Sequence, residues 1–121
     1  MEILDCNLHG SWKLRSFEIV TEGVSSLWRA KAHGILIYSP YGYMSVSINS
    51  EQGTDEWVDS VLFYAGTYRV EGGTVVHDVT NATSASRMGS PMVRAAVLQG
   101  DELELSASGD FGKAVLVWGR A

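Results

Sequence analysis

Two side chains with acid–base capacity come together if one glycine pair is read as a turn. Gly72-Gly73 separates two strongly alternating runs, and such a pair suits a two-residue hairpin loop. That register sets Tyr68 opposite His77, Val70 opposite Val75 and Gly66 opposite Val79 on one face. Arg69 with Val76, Thr67 with Asp78 and Glu71 with Thr74 take the other, which is mostly polar. An imidazole titrates near neutral pH, and a phenol beside it can orient it or hold a ligand oxygen. His77 and Tyr68 therefore read as a general acid/base or ligand-anchoring pair. The plainer reading is a core histidine whose ring nitrogen is satisfied by a tyrosine hydroxyl, and it leads, because one His and one Tyr make no catalytic signature.

Arg94 is the third candidate. In phase with Met92 and Ala96, it could neutralise a ligand carboxylate or enolate through paired hydrogen bonds if it faces inward, and is a solvated edge charge if it faces outward. Val93, Ala95 and Val97 compete for the interior, however, and alternation favours the outward reading for Arg94. Met44, Met88 and Met92 suit an adaptable pocket wall, or simply fill core gaps. His9, His33 and His77 lie on separate elements without metal-ligand spacing, so no metal and no cofactor are expected. Cys6 has no obvious partner, no serine sits in a nucleophile elbow, and no glycine-rich loop leads from a strand into a helix.

The elements that must position these residues are mostly strands. Trp12 to Val20 alternates, with Trp12, Leu14 and Ser16 on one face and Lys13, Arg15 and Phe17 on the other. Leu27 to Tyr38 reads as a second strand, broken or bulged near Gly34. Ser39-Pro40-Tyr41-Gly42 turns the chain into Tyr43 to Ile48. Asp55 to Phe63 is the one helix candidate: Trp57, Val58, Val61 and Leu62 share a face, Thr54 suits the cap, and the segment would lie as a lid over one end. Trp57 and Phe63 would then cover the mouth or simply pack it shut, two readings of equal standing. After the hairpin come Met92 to Leu98, Glu102 to Ser106 and Ala114 to Trp118, joined by short turns. The expected fold is all-β, a single antiparallel up-and-down barrel of about eight strands with one short helix.

Composition narrows the function. The chain has 121 residues, 45% of them hydrophobic, with 19% charged and a formal net charge of −5, as for one ordinary globular domain spanning residues 1–121. Nine scattered Lys and Arg residues make no basic patch, so nucleic acid is not an expected partner. The single cysteine and the lack of a signal-peptide pattern suit the cytoplasm, and no apolar run is long enough to span a membrane.

Gly10-Ser11-Trp12 in the first strand, with Trp118-Gly119-Arg120 in the last, resembles the lipocalin closure, in which an arginine packs over the first-strand tryptophan. Gly34-Ile35-Leu36-Ile37-Tyr38, Gly42-Tyr43-Met44-Ser45-Val46, Tyr64-Ala65-Gly66-Thr67-Tyr68, Val75-Val76-His77 and Leu98-Gln99-Gly100-Asp101 extend the likeness to the bacterial and fungal lipocalin-like domain family. Compared with secreted lipocalins the chain is short and has no disulfide pair. The resemblance implies a calycin-type cup for a small hydrophobic molecule, without implying one shared reaction. The expected lining is Tyr38, Met44, Val46, Tyr64, Tyr68, His77, Val79, Met92 and Arg94. Two functions follow. The first is a small-molecule-binding protein, monomer or homodimer. The second is a cofactor-independent cyclase or isomerase in natural-product biosynthesis, holding a polyketide- or terpenoid-like intermediate in a reactive conformation with His77, Tyr68 or Arg94 as tentative catalytic groups.

Overall fold

The computed structural model describes residues 5–27, 32–50, 61–83, 88–89, 91–109 and 112–121. A four-residue helix, α1 (Asp5–Leu8), precedes nine strands: β1 (Gly10–Thr21), β2 (Val24–Leu27), β3 (Ala32–Tyr38), β4 (Tyr43–Ser50), β5 (Val61–Glu71), β6 (Thr74–Ala82), β7 (Pro91–Gln99), β8 (Glu102–Gly109) and β9 (Gly112–Arg120). All these pairings are antiparallel, and all join consecutive strands except β1 with β3 and β1 with β9. The β1–β9 ladder closes eight strands into a barrel, while β2 is an extra ribbon that pairs, among the described residues, with β1. Closure leaves those eight strands without a long unpaired edge.

The Gly72-Gly73 turn forms in the expected register, with Val70 opposite Val75 and Tyr68 opposite His77. Gly72 supplies the positive φ, 60°, that the turn needs. Because the side-chain period is two, this pairing puts Val75, His77 and Val79 together in the core.

Three expectations need correction. In β1, Leu14 pairs with Trp118 but Ser16 pairs with Val117, so Arg15 is an extra residue at a bulge. The face flips there, and Phe17 and Ile19, not Ser16, point inward beyond it. Gly34 does not break or bulge its strand: β3 runs in unbroken register with β4 from Ala32 to Tyr38. A Cβ at Gly34 would lie 3.0 Å from Ile48 Cγ1 and 3.1 Å from Leu14 Cβ, so the glycine marks a close approach to β1. Finally, Val61 to Phe63 belong to β5 and not to a helix. Leu62 continues the inward series of Tyr64, Gly66 and Tyr68, and pairing with β4 prevails over a weak helical periodicity. The rest of the expected helix, 55–60 with Trp57, lies outside the described residues.

The end of the barrel where β1 starts is closed by side chains. Leu8 and Trp12 are fully buried, and Trp12 Nε1 donates to the Leu8 carbonyl at 2.9 Å. The Arg120 guanidinium lies 4.2 Å from the Trp12 ring centroid, as the resemblance implied. It also donates from Nη1 to the His9 carbonyl at 3.0 Å and from Nη2 to that of Asn7 at 2.8 Å. One side chain thus ties α1, β1 and β9 together. Replacing it, Arg120→Ala, should lower stability by about 2 kcal/mol in denaturant unfolding, from the loss of two charge-assisted hydrogen bonds and the ring contact. Arg120→Lys should recover only part of this, since an ammonium lacks the planar fork.

Candidate functional site

His77 sits in the middle of β6, 1% exposed, with a tyrosine hydroxyl on each ring nitrogen. Tyr38 Oη of β3 lies 2.6 Å from Nε2, and Tyr64 Oη of β5 lies 2.8 Å from Nδ1. The expected Tyr68–His77 hydrogen bond is not made. Tyr68 donates instead to the Ser39 carbonyl at 2.9 Å, and its ring packs on Tyr38 with centroids 4.6 Å apart. The hydroxyls that reach the nitrogens come from β3 and from a position four residues before Tyr68 on β5.

Burial pushes the His77 pKa down to about 3, and the nearby Arg94 cation adds to the effect. The Tyr38 hydroxyl is pushed well above its ordinary value by burial first, then by Tyr64 and Tyr68, with Arg94 opposing. At neutral pH the imidazole and the Tyr38 phenol are therefore both uncharged. A neutral imidazole donates from one nitrogen and accepts at the other, so one tyrosine donates to it and one accepts from it. Tyr38 is fully buried, and its hydroxyl has no partner but Nε2 among the described residues. A stranded O–H donor is the costlier defect, so Tyr38 donates to Nε2 and Nδ1–H donates to Tyr64. Such a histidine is a weak base near pH 7, and its work here is to orient Tyr64.

Above this cluster lies a cavity of about 620 Å³. Leu36, Val46, Leu105 and Leu116 line it, and Phe17, Ile19, Ile48, Leu62 and Ala114 line it nearer the strand ends away from the Trp12–Arg120 closure. Polar groups are few: Tyr64, His77, Arg94, Ser108 and the indole of Trp118. Of the expected lining, Val46, Tyr64, His77, Met92 and Arg94 face the cavity. Tyr38, Met44, Tyr68 and Val79 are packed in the surrounding core, and Met88 is exposed.

Arg94 points inward, against the alternation argument. Val75 and His77 are core residues, and their partners on β7 are Arg94 and Met92, so those two share the inner face. Val93 and Val97 are turned out, 53% and 50% exposed. An apolar strand seen alone has two plausible inner faces, and only its neighbour's register chooses between them. The residues missed from β1, β8 and β9 had signals of different strength. Leu105 and Leu116 fit plain alternation, whereas Phe17 and Ile19 were hidden by the Arg15 bulge.

Trp118 is 1% exposed, and its Nε1 has no hydrogen-bond partner among the described residues. No group of His, Cys, Asp and Glu among those residues is arranged to hold a metal ion. None of their helices is long and apolar enough to cross a membrane.

A closed eight-stranded barrel with an arginine-over-tryptophan end and an inner cavity defines a lipocalin-like protein. Residues 9–121 match the family model of the lipocalin-like domain, and the chain belongs to that family. A search of the curated proteins finds no match.

Proposed function

We propose that this protein binds one small hydrophobic or amphipathic molecule inside the barrel, and that binding is its function. The observation that carries this is the cavity of about 620 Å³, which is in the size range of small-molecule sites and has mostly apolar walls with a few polar groups. A side-chain-filled barrel would leave no such space. Native mass spectrometry of freshly purified protein is expected to show a bound species that organic solvent releases. Bare protein alone, followed by failure of every apolar probe to bind, would remove the reading.

A cyclase or isomerase acting on a polyketide- or terpenoid-like intermediate is the second reading. It is favoured by one observation, that Arg94 and Tyr64 line the same cavity and can together steady a developing enolate oxygen. His77, with its pKa near 3, would then act as a positioning residue and not as the base. Recovery of the bound molecule unchanged after prolonged incubation favours binding; conversion to an isomer favours catalysis.

A further inference from the structure

Among the described residues that line it, the cavity carries one sign of charge, and the charged group lies toward the closed end. Arg94 lines it, and among the described residues no carboxylate lies within ion-pair distance of its guanidinium. The one hydrogen bond it makes runs from Nη1 to the carbonyl of its neighbour Val93, at 3.2 Å. A guanidinium has five N–H donors, so most of its capacity is unspent. By contrast, Arg15, Arg69 and Arg120 all have acidic partners.

A second observation points the same way. Trp118 lines the same cavity, and its buried Nε1–H donates to no described residue. Leaving a buried donor unmade is costly, so an oxygen acceptor from outside the chain is the expected partner. Both groups lie toward the closed end. Arg94 is opposite Val75, just past the Gly72-Gly73 turn, and Trp118 is opposite Leu14, two residues from the Trp12–Arg120 closure. Toward the rim the wall is Ile19, Ile48, Leu62 and Met92, with Ser108 an uncharged polar group at that end.

We propose that the cavity selects a carboxylate amphiphile and takes it head first, with the carboxylate on Arg94, Trp118 Nε1 as a further donor at the same end, and the apolar tail toward the rim. This rests on the ligand-binding reading above. The pairing supplies the counter-charge that an arginine facing an apolar cavity lacks. An alcohol would satisfy the donors but not the charge, and a quaternary ammonium would meet repulsion.

The test compares decanoate, decanol and decyltrimethylammonium by calorimetry on the full chain, with Arg94→Met and Arg94→Lys variants beside it. Decanoate should bind tightest, and Arg94→Met should weaken it roughly tenfold to a hundredfold, as for loss of a charge-assisted contact, while decanol changes little. Arg94→Lys should keep part of the acid preference. Nuclear Overhauser contacts should join the decanoate terminal methyl to Leu62 and Ile48. Equal affinity for acid and alcohol, an Arg94→Met variant that still prefers acid, or terminal-methyl contacts to Trp118 would overturn the proposal and leave the ligand cup intact. Failure of all three probes to bind would overturn both.

Discussion

Lowering the pH from 7 to 3 is expected to cost this protein about 4 kcal/mol of unfolding stability through His77 alone. In the unfolded chain the imidazole takes up a proton near its ordinary pKa of 6.5, whereas the folded protein resists protonation down to about pH 3. Between those values the unfolded state binds more protons than the folded state. Stability therefore rises with pH across that window, and it falls as acid is added. The contribution is fully present above 6.5 and fully lost below about 3. The cause is structural: protonation would place a charge in a buried site and give both ring nitrogens a proton. Tyr38 could then no longer donate to Nε2. Urea unfolding at several pH values checks this, with His77→Gln as the comparison. The variant should be less stable at pH 7, since its amide cannot match both tyrosines, but its stability should fall much less between pH 6.5 and 4. Equal slopes in the two proteins would show that His77 takes up its proton as readily folded as unfolded.

Gly66→Ala is expected to lower stability by about 3 kcal/mol and the melting temperature by about 10 °C, a large effect for one methyl group. A Cβ at Gly66 would lie 1.9 Å from the Asp78 carbonyl oxygen and 2.9 Å from its carbon. The obstacle is main chain and cannot rotate away. It arises because the β5–β6 register shifts beside this glycine: Ala65 pairs with Asn81, but Gly66 pairs with Val79. Thr80 is the extra residue, and the bulge drives β6 in against β5. To admit the methyl, β6 must move, and it carries His77 one residue before Asp78. The substitution should therefore also disturb the Tyr38–His77–Tyr64 contacts, visible as shifted imidazole resonances. Gly73→Ala is the control, because nothing lies within 4 Å of its added Cβ. A Gly66→Ala protein as stable as that control would mean that β6 yields at little cost.

The alternation of Tyr64 to Glu71 and Thr74 to Thr80 about a glycine pair was enough to determine the central hairpin, its register and the inward direction of His77. Turn chemistry at short spacing, with Gly10-Ser11-Trp12 and Trp118-Gly119-Arg120 at the two ends, was enough for the closed barrel and its arginine-capped end. These are local features, because a turn and a period of two are written in consecutive residues. Only the tertiary structure decided which tyrosines hold His77, because their hydroxyls arrive from β3 and β5 at distances set by barrel geometry. It alone turned Arg94 inward, since Val93 and Val97 offer an equally apolar face until β6 pairs alongside. It also revealed Phe17 and Ile19 in the wall, through an inserted residue that no pattern in β1 announces. Sequence thus sets each strand's rhythm, while phase and depth depend on neighbours far along the chain, and in a closed barrel those two quantities decide what a ligand meets.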